Sequence, residues 1–240
     1  TRTIGALGLT NIRLACRDIM EIGPELGRFD YIVAHGVYSW VPPPVRAKIL
    51  SIFRENLAPQ GVAYVSYNCH PGGHLRNLVR DMMLFHVRGI EDPKEKVKQA
   101  RAILKFVSES ADGKQTYGWM LRDQFARVQK MPDEVLYHDD LDEGATAFLF
   151  HRVMDDAARH GLQFLSEASF SSPLPPERLK PVTALLDRFP ESEVVAREQY
   201  LDFLIGRGFR ETLLCHGEIA LRRTIDPACL RTYSLSAYLE

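Results

Sequence analysis

FDYIVAHGVYSWVPPPVRAKILSIFRENLAPQGVAYVSYN, residues 29–68, decides the fold. Residues 29–36 are a near-continuous apolar run, as expected of a strand buried on both faces. Pro42, Pro43 and Pro44 suit a helix start, where a missing N–H leaves no bond unmade. Val45, Ile49, Ile52, Phe53 and Leu57 then recur at helical spacing. Residues 57–61 read as a turn, and 62–67 as a second strand with Asn68 at its end. Strand, helix, strand over this short span predicts a βαβ unit with parallel strands. Open α/β sheets bind ligands at the carboxyl ends of their strands, which directs attention to His35-Gly36-Val37-Tyr38-Ser39-Trp40.

Upstream, residues 11–18 alternate, with Ile12, Leu14 and Cys16 on one side, and predict a strand ending at Asp18. Downstream, Pro71-Gly72-Gly73 reads as a helix-breaking turn. Residues 75–135 then read as a helical insertion of three amphipathic helices. Residues 136–144 read as an acidic loop. A helix around Leu149, Val153 and Ala157 stops at Gly161, and 162–168 reads as a short strand. Residues 171–181 read as a loop and helix start, followed by helices near 177–188 and 192–205 and a last strand at 208–216.

The 240 residues are enough to bury a core, and their composition is that of a globular protein. Thirty basic side chains against 31 acidic ones give no net field that argues for nucleic acid, and no apolar run is long enough to span a bilayer. Cys16, Cys69, Cys215 and Cys229 are scattered without a CxxC pair, which fits reduced thiols in a cytoplasmic setting. The chain opens Thr-Arg-Thr, in what reads as the tail of a helix, and is expected to be a fragment.

Each candidate site residue has a plain structural reading beside the functional one. Asp18 can accept from an adenine amino group or a ribose hydroxyl, or simply cap the next turn. Tyr38 and Trp40 line a pocket or belong to the core; His35 positions a substrate or caps its strand. Gly36 serves close backbone approach or an unusual φ. His70 and His74 stand four apart but lack the helix and glutamate of a zinc-protease pair, and no metal is expected. His138, within YHDDL (137–141), suits proton handling or belongs to a solvated acidic loop. There is no Walker A motif, no GxSxG and no GxGxxG.

Taken together, FDYIVAHGVYSWVP, LAPQGVAYVSYNCHPGGHLR, YHDDL, HGLQFLSEA and YLDFLIGRGFRETLLC resemble the bacterial class I S-adenosylmethionine-dependent methyltransferases that carry a methyltransferase regulatory domain. The resemblance implies a Rossmann-like sheet lacking its first two strands here, with a helical insertion or lid. It divides the chain into a partial core (1–74), the insertion (75–135), a regulatory segment completing the sheet (136–220) and the start of a C-terminal region (221–240). The last strand would run antiparallel to the rest. It further implies S-adenosylmethionine as cofactor, with Asp18 and Ile19 by the adenine and His35 and Gly36 by the methyl group. Tyr38, Ser39, Trp40 and Asn68 would face the acceptor, and His35, Tyr38, Tyr67 and His138 would be catalytic. A protein lysine is the implied acceptor; a degenerate, non-catalytic binding module is the alternative. Without the first two strands, cofactor binding by these residues alone is expected to be weak or absent.

Overall fold

The computed structural model describes residues 2–142, 144–169, 176–223 and 228. Among the described residues the sheet has four strands: β1 (Phe29–Ala34), β2 (Leu57–Asn68), β3 (Leu162–Glu167) and β4 (Phe209–His216), in the order β1-β2-β4-β3. β1 and β2 pair in parallel, while β4 runs antiparallel to both of its neighbours. The single reversed strand is the last, as the resemblance implies.

α1 (Arg2–Ala6) opens the chain, and α2 (Pro43–Asn56) crosses from β1 to β2. Pro42 caps α2 at φ −68°, and Pro43 and Pro44 occupy its first turn. Ile49, Leu50 and Phe53 of α2 pack with Ala63, Val65, Phe150, Val153, Phe164 and Leu214 in the main core. α7 (Phe150–Arg159), α8 (Pro176–Leu186) and α9 (Val194–Ile205) lie in the C-terminal part of the chain.

Between β2 and α7 the chain builds a second core. α3 (Gly72–Val87), α4 (Pro93–Ser110) and α5 (Thr116–Lys130) bury Val79, Met83, Val97, Leu104, Leu121 and Val128 against one another. Asp92 caps α4 by accepting from Glu95 N at 2.9 Å.

The structure corrects several sequence expectations. Residues 11–18 form no strand: Ile12 and Leu14 are exposed, and no neighbour among the described residues pairs with them. A strand is stable only in a ladder, so alternation alone does not create one. β1 is covered on one face only: Ile32 and Ala34 pack on the core, while Tyr31 and Val33 are 76% and 67% exposed. Residues 57–61 belong to β2, but as an irregularity: Phe29 pairs with Leu57 and Tyr31 with Val62. Four residues there oppose Asp30 alone, which is why the segment has a turn's composition. The two glycines at 72 and 73 open α3 instead of breaking it. Gly72 N donates to Arg207 O at 2.9 Å, and a Cβ on Gly72 would lie 2.6 Å from Gly206 O. Glycine there serves close backbone approach. The acidic loop is helical at its start, with α6 (Asp133–Val135) running into a π-helical turn, Leu136–Asp140, that buries Leu136 and Asp140. Residues 171–175, Cys229 and most of the segment after 223 lie outside the described residues.

Candidate functional site

Parallel pairing of Ala34 with Val65 brings the residues just past β1 beside Ser66, and antiparallel pairing sets Ser66 opposite Glu211. Side chains two apart share a sheet face, so Tyr64 and Ser66 present their hydroxyls together. Gly36 turns the chain at φ +67° and donates its N–H to Ser66 Oγ at 2.8 Å. His35 Nδ1 meets Tyr64 Oη at 3.1 Å and Ser66 Oγ at 3.1 Å. Tyr64 donates its hydroxyl to Glu211 Oε1 at 2.6 Å.

The donor inventory bears on the histidine tautomer. An ionised carboxylate only accepts, so the single Tyr64 proton goes to Glu211. The oxygen facing His35 is then an acceptor, which a proton on Nδ1 satisfies, with the Nε2 lone pair free; Ser66 Oγ, which accepts from Gly36 N, also keeps a proton of its own to donate. Burial, joined by the bond to Glu211, pushes the Tyr64 phenol up to about 12, so it holds its proton at neutral pH. The network links the end of β1 to β2 and β4 through three side-chain contacts and the Gly36 N–H.

Tyr38 and Tyr67, expected to act on the acceptor, are core residues. Tyr38 is 1% exposed and packs edge-on against Phe148 at 5.5 Å. Tyr67 is wholly buried with its hydroxyl 3.0 Å from Thr212 Oγ1, and burial raises its pKa well beyond the ordinary phenol value. In this geometry both support the site from beneath and neither reaches its surface. Both lie on core-facing positions, where an aromatic ring stabilises by burial.

Ser39 is also buried, and its Oγ accepts from Asn68 N at 2.8 Å. Its carbonyl accepts from Thr146 N at 2.9 Å, which ties the loop after the π-helical turn to the β1 end. That loop also pairs with the end of β2 and the residues after it: Phe148 N donates to Asn68 O at 3.0 Å and His70 N to Phe148 O at 2.9 Å. Trp40 lies against His138, ring centroids 4.7 Å apart, and His138 Nδ1 is 2.9 Å from Asp139 Oδ1. Asn68 Oδ1 accepts from Arg76 Nη1 at 3.2 Å. Asp18 is exposed and accepts from Met20 N at 2.9 Å, capping a short turn, while Ile19 packs on the main core. His70 and His74 stack face to face at 3.7 Å, and no group of three metal-ligating side chains occurs among the described residues.

Beneath β4 lies a buried ionic network that sequence reading missed. Arg210, 0% exposed, grips Asp202 with Nε and Nη2 at 2.9 Å each and reaches Glu167 Oε1 at 2.9 Å. Its guanidinium carbon sits 3.8 Å from the centre of the Phe150 ring. Burial opposes the charge, but Asp202 and Glu167 outweigh it and hold Arg210 above its ordinary value. Glu167 also accepts from Thr212 Oγ1 at 2.9 Å, the partner of Tyr67. Glu211 was missed for the same reason: only strand register brings it to Tyr64, and no local motif marks it.

Residues 132–216 match a family model described as a predicted methyltransferase regulatory domain. With the reversed last strand, this places the chain among the bacterial methyltransferase-fold proteins that carry that domain. The solved structure of PKMT2 from Rickettsia typhi superposes with a TM-score of 0.80 at 36% identity, over 95% of this chain and 43% of that one. A second structure of the same protein, in complex with AdoHcy, matches equally well. Protein RP789 of Rickettsia prowazekii is 36% identical over 239 residues, and RP028 of the same organism is 34% identical over 165. The chain spans 42% of RP789, 66% of RP028 and 43% of PKMT2. No helix among the described residues is long and apolar enough to cross a membrane.

Proposed function

We propose that these residues form the acceptor side of an S-adenosylmethionine-dependent methyltransferase acting on a protein lysine in the cytoplasm. The observation that carries the reading is the His35–Tyr64–Glu211 network at the carboxyl end of β1, which leaves His35 Nε2 free on an exposed residue. Relatives at 36% identity include a structure containing AdoHcy, the demethylated form of that cofactor.

The residues present fit the adenine and methyl ends of the cofactor. Ile19 offers an apolar contact beside the exposed Asp18 carboxylate, and a Cβ on Gly36 would meet nothing within 4 Å. S-adenosylmethionine, when bound, supplies a methyl group on a sulfonium sulfur. An acceptor ammonium must lose a proton before its nitrogen becomes nucleophilic. His35 Nε2 takes that proton, and Tyr64 and Ser66 hold the ring at Nδ1 so that Nε2 faces outward. Trp40 and His138 flank the acceptor's apolar stem, while Asn68 and Ser39 fix the loop that carries them. Tyr38 and Tyr67 keep this floor rigid. Positioning supplies much of the rate in such a displacement.

The test is transfer of labelled methyl to protein by the full-length protein and by its His35→Gln variant. Loss of a general base predicts a fall of about 10²-fold or more, relieved at alkaline pH where the amine deprotonates unaided. Unchanged turnover in His35→Gln removes the base assignment. No transfer by the unaltered protein, with partner binding retained, favours the non-catalytic module.

A further inference from the structure

A cleft of about 240 Å³ opens beside Asn68, between α3, α5 and the loop at residues 145–147. Its charged lining, among the described residues, is Arg76, Arg80 and Arg127; Asn77 and Gln124 add neutral polar groups. Behind these arginines stands one fully buried carboxylate. Asp140 accepts from Arg76 Nε at 2.6 Å and from Arg127 Nη1 at 3.4 Å. Arg76 also donates to Asp139 O at 2.6 Å, Arg80 to the carbonyl of Asp142, and Arg127 Nε to Gln124 Oε1 at 3.0 Å.

Three further carboxylates among the described residues have hydrogen bonds of their own. Asp139 meets His138, Asp142 caps Gly144 N, and Asp123 accepts from Gln124 Nε2. Among the described residues, Arg76 and Arg127 bond the one buried carboxylate, while Arg80 bonds the Asp142 carbonyl. Arg80 is only 8% exposed, and its Nε and Arg127 Nη2 are buried without a hydrogen-bond partner. Buried donors ordinarily find acceptors, and buried cations find counter-charge. An oxyanion in the cleft supplies that counter-charge.

We propose that this cleft binds a carboxylate or phosphate oxyanion between the guanidinium groups of Arg80 and Arg127. Planar guanidinium forks match the two oxygens of either group. Arg76 bonds Asn68, so the oxyanion sits next to the proposed acceptor end of the sheet. Resting on that functional reading, one source of the group is an acidic side chain beside the methylated lysine; the other is a free small anion.

The experiment is calorimetric titration of the full-length protein with inorganic phosphate. Parallel titrations use two lysine peptides differing in Glu or Gln beside the lysine. Binding needs no methyl transfer, so failure of the proposed activity leaves this result readable. Saturable phosphate binding is expected, weakened about tenfold by Asn77→Asp, which places a like charge in the lining. Asn77 makes none of the hydrogen bonds above, so this variant keeps the test alive if Arg127→Gln, expected to act in the same direction, does not fold. Preference for the Glu peptide, competed by phosphate, assigns the oxyanion to the acceptor; phosphate binding without that preference assigns it to a free anion. No saturable binding of either probe, or binding that Asn77→Asp leaves unchanged, overturns the proposal.

Discussion

Replacing Arg210 by Met keeps much of the side chain's volume and its contact with Phe150 while deleting the charge. Three carboxylates pair with that charge: Asp202, wholly buried, and Glu167 and Glu198, each nearly so. Arg197 lies 3.6 Å from Glu198 Oε1, and Arg207 shares Glu167, donating from Nη1 to Oε2 at 3.4 Å, so Arg210 is replaced only in part. Arg207 Nε lies 2.8 Å from Asp202 Oδ1, yet that N–H has no hydrogen-bond partner, so its direction is wrong. Removing one partner of a buried pair costs about 3–5 kcal/mol, against a total stability of about 5–15 kcal/mol for a domain. Arg210→Met should therefore lose a large part of the fold's stability, read as a lower urea midpoint at unchanged slope. The deficit should shrink on acidification. Carboxylates left unpaired have folded-state pKa values above their unfolded ones, so protonation favours the folded variant. Adding Asp202→Leu should restore part of the loss, because an apolar replacement of both partners leaves fewer stranded charges. A loss below about 1 kcal/mol, the worth of a surface pair, would refute the claim that this network holds β3, β4 and α9 together.

Gly72→Ala should destabilise by about 1–3 kcal/mol, since its Cβ would lie 2.6 Å from Gly206 O and 2.7 Å from Gly208 Cα, both backbone; urea denaturation measures this. Burial and the stacked His74 lower the His70 pKa below 6.5, so stability is present above that value and lost as pH falls through the folded-state value; His70→Asn should flatten the melting temperature against pH over this window. Glu211→Leu should remove the acceptor of the Tyr64 hydroxyl, let Tyr64 donate to His35 Nδ1 and move the ring proton to Nε2. The expected readouts are a changed ¹⁵N signature of His35 and methyl transfer slowed about tenfold in kcat with KM little affected; an unaltered tautomer would end the positioning role.

The fold was legible where a local period meets a local partner. α2 shows its prolines, its spacing and its strands within one stretch, and the three amphipathic helices bury the stripes their sequences display. Legibility failed where pairing decides. Residues 11–18 alternate like a strand yet lack a described neighbour to pair with. Residues 57–61 have a turn's composition yet continue β2, because a bulge uses turn residues within a ladder. Gly72 and Gly73 mark a place where two backbones meet, a demand that resembles helix breaking when only one of them is in view.

The candidate site divides along the same line. His35 and Gly36 stood out because a strand end followed by a glycine is visible in sequence, and they do join one network. Tyr38 and Tyr67 drew the same attention, but an aromatic next to a strand end carries no sign of which face it takes, and both face the core. Glu211 could not be found at all, being 147 residues from Tyr64, and its place follows from one antiparallel register. It also lies within residues 132–216, the stretch matching the regulatory-domain model. The carboxylate that holds the Tyr64 proton thus comes from that stretch, while His35 follows β1, across β2 from β4. A shift of β4 by one residue would turn Glu211 to the opposite face and release Tyr64, so the packing of that segment and the state of the proposed base are one structural variable.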